Sequence, residues 1–333
     1  MFLQIRLPFF FAIGACVLSI LAFNNVLEPF FLLYLISVNV FFIIISFFIQ
    51  DLDIKKINKF RLPNLFTFFI PIIVISNMIE FYLLGVPIFN DQVSYHKFGL
   101  AFIHHVSVSS WILIFGLLDR SKLVVKILLL ILSFSIPILI QNRDLFLLTC
   151  YSLFVVSYLS GFIRSRIIQL LFIVTVMVAF GVLGEIRSQG ALAITLKNMP
   201  FSPWLSDLPS FAQWSFIYPA SSIFNSVWYV SGNNELYYEN INAVSEFMIF
   251  FRHIGWLSVF LFYLSLFFIL NLFRYMVRIN IIFFPLFIFL QYQAIMSIFS
   301  SKIFITHTLF QLVLFLVTLF IIKFVNNQRI LIK

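Results

Sequence analysis

Long apolar runs separated by short polar turns set the pattern of this chain. Runs of about 20 residues, without the alternation of a half-buried strand, predict helices able to cross a hydrocarbon core of ~30 Å. Ten such stretches fall at about residues 7–23, 30–49, 65–86, 99–118, 123–140, 145–163, 167–183, 253–272, 279–299 and 307–324. In lipid only a helix or a closed barrel satisfies its own backbone, and continuous apolar runs lack the alternation a barrel needs. The expected fold class is therefore an all-α integral membrane protein. It is a single polytopic domain over residues 1–333 with about ten transmembrane helices. Pro71, Pro137 and Pro285 fall inside these stretches and are expected to kink them, which suits a bundle around a cavity.

One interval departs from the pattern. Residues 184–252, between the seventh and eighth stretches, hold no convincing span. Connections longer than about 12–15 residues are usually functional or disordered, and this one is too rich in aromatic and apolar residues for disorder. Residues 192–198 and 211–230 are expected to lie on the bilayer surface or to fold back over the bundle. Trp204, Trp214, Trp228, Tyr218 and Tyr229 suit an interfacial belt.

Lys and Arg orient the spans. With the N-terminus in the cytoplasm, 15 of the 21 basic residues fall on the inside and six outside, every inside loop agreeing, so both termini are expected to be cytoplasmic. The long loop then faces outward. Composition agrees: 62% of the 333 residues are hydrophobic and 10% charged, with mean hydropathy +1.10, against about 25% charged in a soluble domain. The net charge of +9 is explained by the cytoplasmic loops and anionic lipid, so no nucleic-acid partner is implied. Cys16 and Cys150 lie in apolar runs and imply neither a disulfide framework nor a ligand set. Residues 1–24 are read as an uncleaved first helix rather than a signal peptide.

Candidate chemistry gathers at the outer face. Arg143, Arg187 and Arg252 break the positive-inside preference. Singly, each is explained by snorkelling to headgroups or by a neighbouring acid; as a set on one face they suit an anion, because guanidinium grips phosphate oxygens bidentately. Asp144 and Glu185 are candidate general bases, with a salt bridge to Arg143 and to Arg187 as the plainer reading. His96, His104, His105, His253 and His307 all fall on the outer side or at outer span ends. His104 and His105 are adjacent, so on a helix their rings point about 100° apart and share a metal poorly. No metal site is expected. His253, beside Arg252, is the histidine best placed for phosphate or acid–base work, while His307 reads as a helix-start residue and Glu80 as an interfacial acid. No Walker loop, dinucleotide fingerprint or nucleophile elbow is present.

Four short segments, in this order and spacing, resemble the O-antigen and capsule repeat-unit polymerases, the Wzy family. F-G-V-L-G-E-I-R-S-Q-G (residues 180–190) is similar to that family's G-x-x-R segment, and Y-P-A-S-S-I-F-N (218–225) to its Y-x-x-S-P-x-x-N stretch. Ile254-Gly255-Trp256 resembles the D-F-G-x-x-G stretch that starts the next span, and Arg143 occupies a short outside turn where these enzymes often place an arginine. The resemblance covers most of the chain as architecture, but only these segments as residues. It departs at Ser222, where Pro is usual, and at His253, where Asp is usual.

The resemblance implies a GT-C-like polymerase or ligase architecture in the bacterial inner membrane. The growing glycan on undecaprenyl diphosphate would move onto a lipid-linked repeat unit at the periplasmic face. Arg187 and Arg143, with Arg252 or His253, would stabilise the leaving diphosphate. Asp144 or Glu185 would take the acceptor proton, and Tyr218 and Asn225 would hold sugar hydroxyls or pin the loop. The glycosyl diphosphate supplies the energy, so no cofactor is expected. A flippase and a chain-length regulator are the expected partners besides membrane lipids. The rivals are a lipid-linked oligosaccharide flippase and an O-antigen ligase. A membrane acyltransferase calls for a histidine with a carboxylate on one helix face, and no such pair is visible along the sequence.

Overall fold

The computed structural model describes residues 5–23, 29–49, 52, 63–89, 98–118, 122–163, 165–188, 254–300 and 305–331. Shorter described pieces lie at 207–209, 212–213, 220–224, 226–227, 246, 251 and 302–303; at 63–64, 187–188, 323 and 325–331 the description is of backbone alone. Each of the ten apolar stretches is helical. In order they form α1 (Leu7–Ala22), α2 (Pro29–Phe47), α3 (Pro63–Leu84), α4 (Ala101–Ser107) continued by a 3-10 helix (Val108–Leu118), α5 (Leu123–Leu139), α6 (Arg143–Leu159), α7 (Arg166–Ser188), α8 (Leu257–Ile279), α9 (Phe284–Met296) and α10 (Thr306–Leu331). Among the described residues no strand occurs. Five helices are long and apolar enough to cross a membrane: Pro29–Phe47, Leu65–Phe89, Ala101–Leu118, Arg166–Ile186 and Leu257–Ile279. The other apolar helices are shorter. The protein is a multi-pass helical membrane protein.

Exposure agrees with that assignment. On α7, Ile167, Ile168, Leu170, Leu171, Ile173, Val174, Val178, Val182 and Ile186 all project outward. Monomeric soluble proteins rarely leave such a continuous apolar face uncovered, and lipid removes the penalty.

Contacts divide the chain into two compact units. The first comprises residues 1–52, 173–280 and 287–304. Here α1 and α8 pack on α2. Phe9, Ala12, Ala15, Cys16 and Ser19 recur at helical spacing on the buried face of α1. Phe9 stacks on Phe42 at 5.5 Å and meets Tyr263 at 6.0 Å. Part of the long loop belongs to this core: residues 220–224 and 226–227 are helical and buried. Ser19 donates to the Ala220 carbonyl at 3.1 Å, and Phe23 stacks on Phe224 at 4.3 Å. This section of the 211–230 stretch folds back over the bundle; residues 192–198 lie outside the described residues.

The chain just after α9 receives the loop. The last carbonyls of a helix have no partner within it. The Ser222 hydroxyl donates to the Phe299 carbonyl at 2.7 Å, and the Glu246 amide to that of Ser297 at 2.8 Å. The Glu246 carboxylate accepts in turn from the amides of Ile303 (2.9 Å) and Lys302 (3.1 Å). Gly255, just before α8, holds φ of +63° and its amide donates to the Phe251 carbonyl at 2.8 Å. The Trp256 carbonyl accepts from the Tyr34 hydroxyl of α2 at 2.9 Å.

The second unit comprises residues 53–172, 281–286 and 305–333. The 3-10 segment packs against α5 and α6 and is buried from Val108 to Gly116. A 3-10 helix rises about 2.0 Å per residue against 1.5 Å for an α-helix, so α4 and its continuation reach roughly 32 Å together rather than 27 Å. That restores a full crossing from 18 residues. Gly116 allows the close approach of α5, because a Cβ there would lie 2.5 Å from a Leu129 methyl.

One expectation is corrected. The eighth span does not stop near 272: α8 runs on to Ile279 and carries Arg274 and Arg278 in its last turns, where cations suit the helix dipole. Pro285 lies within the helical stretch Ile281–Met296, second in α9 directly after a 3-10 turn (Ile281–Phe283); Pro71 and Pro137 are interior to α3 and α5.

Candidate functional site

The residues singled out from the sequence separate into three groups. Arg143 and Asp144 open α6 in the second unit, both half-buried. The turn before them is tight: Gln141 takes φ of +54°, and the Asn142 side chain caps the helix by accepting from the Leu145 amide at 2.9 Å. Glu185 and Arg187 lie in the last turn of α7, in the first unit; the Arg187 side chain is outside the described residues. Tyr218, Asn225, Arg252 and His253 also lie outside them. The neighbours of the first two, Ala220–Phe224, are buried. Ser222 uses its hydroxyl to donate to the Phe299 carbonyl, a bond that proline at this position could not make.

A polar cluster that sequence reasoning did not assemble lies in the second unit, where α3 ends and α4 and α10 begin. The α3 helix closes on Gly85, whose φ of +81° lets its amide return to the Phe81 carbonyl at 3.0 Å. One turn earlier, Glu80 points inward and is fully buried. A buried carboxylate needs donors. Glu80 has three: the Leu100 amide at 2.9 Å, the Ser107 hydroxyl at 2.6 Å and His104 Nδ1 at 3.2 Å. Asn77, one turn before Glu80, ties the same helices by donating to the Ser107 carbonyl at 3.3 Å. Gly99 holds φ of +129°, and a Cβ there would lie 2.7 Å from His104 Cγ, so only glycine lets the chain pass behind the ring.

An ionised carboxylate only accepts, so Nδ1 of His104 donates, and in the neutral ring Nε2 presents the lone pair. Among the described residues nothing hydrogen-bonds to that Nε2, and the His104 side chain is 22% exposed while Glu80 is not exposed at all. A carboxylate that orients an imidazole through one nitrogen, with no hydrogen-bond partner on the other among the described residues, is an arrangement that a general base can use.

His105 enters a separate chain. Trp111 Nε1 can only donate, and does so to Gln311 Oε1 at 3.1 Å, which fixes the amide. The Gln311 NH2 then donates to His307 Nε2 at 2.9 Å. His307 therefore carries its proton on Nδ1 and gives it to His105 Nδ1 at 2.7 Å. The proton of His105 falls on Nε2. The two adjacent histidines thus differ: one presents a lone pair, the other an N–H. His307 sits in the first turn of α10, as a helix-start residue should, but it is also a relay. Among the described residues no group of three or more His, Cys, Asp or Glu is placed to hold a metal.

The histidine–carboxylate pair was sought on one helix face and forms instead across α3 and α4, 24 residues apart. The signal was an acid four residues inside an apolar helix, which has to find a donor on a neighbour. Compared with protein families, characterised proteins and solved structures, the chain matches none.

Proposed function

We propose that the protein is a membrane glycosyltransferase that polymerises O-antigen or a related surface glycan. It moves the growing undecaprenyl-diphosphate-linked chain onto a lipid-linked repeat unit at the periplasmic face of the inner membrane, on a GT-C-like scaffold. The observation that carries this reading is the position of G-E-I-R in the last turn of α7, where a long apolar helix gives way to the large loop. A cation at this position would stand at a membrane boundary rather than within lipid. Arg143 opens α6 in the same manner. Negative charge grows on the leaving diphosphate in the transition state, and a guanidinium held at such a boundary stabilises it. Water-poor surroundings strengthen the interaction. The partners are lipid-linked glycans, membrane lipids, a flippase and a chain-length regulator.

Deletion in the native strain tests the reading on a lipopolysaccharide gel. Loss of the long ladder with one repeat unit still attached to the core is expected; loss of every repeat indicates a flippase or ligase instead. Arg187→Ala, at normal membrane abundance, is expected to shorten the ladder as deletion does. The His104–Glu80 pair favours a second reading, acyl transfer to a sugar hydroxyl. Deletion would then leave ladder length unchanged and remove acyl groups from the glycan, measured by mass.

A further inference from the structure

The acceptor hydroxyl in such a transfer must lose a proton. We infer that His104, oriented by Glu80, is the general base that takes it. The inference deepens the glycosyl-transfer reading above and rests on it.

Three observations single out His104. Its Nδ1 is engaged by a fully buried carboxylate at 3.2 Å, so the lone pair is on Nε2. Its side chain keeps 22% exposure at the end of an otherwise buried polar cluster. Gly99 spares the ring a collision by lacking a Cβ, so the backbone is shaped around the imidazole and not only around the carboxylate. Glu80 is bound on every side by donors and has no exposed surface, so it cannot reach a substrate itself. It is a positioning residue. Asp144, the sequence-based candidate, lies in the first turn of α6 beside Arg143, where a carboxylate balances the helix dipole and its neighbour. The titratable groups around His104 among the described residues are Glu80 on α3, His105 on its own helix and His307 on α10, the last with ring centroids 6.4 Å apart. The His105–His307 pair holds a single proton between its facing nitrogens.

The step balances. The acceptor oxygen bonds to the anomeric carbon of the donor glycan as the bond from that carbon to the diphosphate oxygen breaks. The bonding pair leaves with the diphosphate. The hydroxyl proton passes to Nε2, the imidazolium is offset by the Glu80 carboxylate, and the proton is then released to the lipid diphosphate or to water.

The test uses the full-length protein in proteoliposomes, with undecaprenyl-diphosphate-linked repeat unit purified from the deletion strain as donor and acceptor. Initial elongation rates are compared for wild type, His104→Ala, Glu80→Gln, Glu80→Asp and Arg187→Ala at matched protein content. His104→Ala should lower kcat by about 10²- to 10⁴-fold, the usual contribution of a general base, with KM little changed. Added imidazole should restore part of that rate in His104→Ala but not in Arg187→Ala. Glu80→Asp should retain more rate than Glu80→Gln. If His104→Ala keeps a third or more of the wild-type rate while Arg187→Ala is inactive, the base assignment is wrong and the polymerase reading stands. A loss in His104→Ala that imidazole does not restore, with KM raised, makes the ring structural and overturns the inference. If wild type does not elongate the repeat unit, the polymerase reading falls first.

Discussion

Glu246 reports how firmly the long loop is held to the rest of its unit. Its carboxylate accepts from the amides of Lys302 and Ile303, and its own amide donates to Ser297. Glu246→Ala removes the acceptor and leaves the backbone bond in place. A hydrogen bond to a charged group contributes about 1.5–3 kcal/mol, and an orphaned buried donor costs about 1–3 kcal/mol. The two amides do not respond alike. Lys302 is half-buried and regains water, whereas Ile303 is 4% exposed and does not. The net loss is therefore roughly 2–4 kcal/mol rather than the sum of two full bonds. Glu246→Gln keeps one acceptor oxygen for Ile303 and turns an NH2 toward Lys302, for a loss of roughly 1–2 kcal/mol. Hydrogen exchange at the Ile303 amide, read by mass spectrometry on protein in lipid nanodiscs, measures this directly. At 1.4 kcal/mol per tenfold, the alanine variant should exchange about 30- to 700-fold faster and the glutamine variant about 5- to 30-fold faster. The amides of Ile288 and Phe289, buried within α9, serve as internal controls and should not change. An Ile303 rate within threefold of wild type in Glu246→Ala would refute the assignment, as would equal rates in the two variants.

Two further substitutions probe the same geometry. Gly99→Ala forces a side chain onto a left-handed backbone and onto the His104 ring; thermal unfolding in detergent should show a loss of about 1–3 kcal/mol, the usual cost of such strain, together with a fall in elongation rate. Ser222→Ala removes the donor to the Phe299 carbonyl and should cost about 1–3 kcal/mol, seen as a lower unfolding midpoint with the oligomeric state unchanged.

The helices were legible because apolar length alone decides what crosses a bilayer, and each of the ten stretches proved helical. Their ends were less so. The sequence pattern stops the eighth span at the first charge, but Arg274 and Arg278 have long apolar stems, so the helix continues beneath them. The 3-10 geometry of Val108–Leu118 has no signature in its residues, since the tightening answers to packing against α5 and α6. Sequence reading joins only residues whose signal is local: Arg143 with Asp144, and Glu185 with Arg187, are neighbours in the chain. Glu80 and His104 meet across helices, and Trp111, Gln311, His307 and His105 form a relay spanning about 200 positions that no spacing rule connects. The hydroxyl of Ser222 finds its partner 77 residues away, which no local pattern announces.

The two compact units are interleaved along the chain, which passes from one to the other five times. During synthesis neither can be finished early. The first awaits the segment after α9 that receives Ser222 and Glu246, and the second awaits His307 and Gln311 on α10. A ribosome halted before residue 287 would leave two incomplete halves rather than one good one. A chain cut anywhere before α10 lacks His307 and Gln311, so the hydrogen bonds that link His105 to Trp111 cannot form.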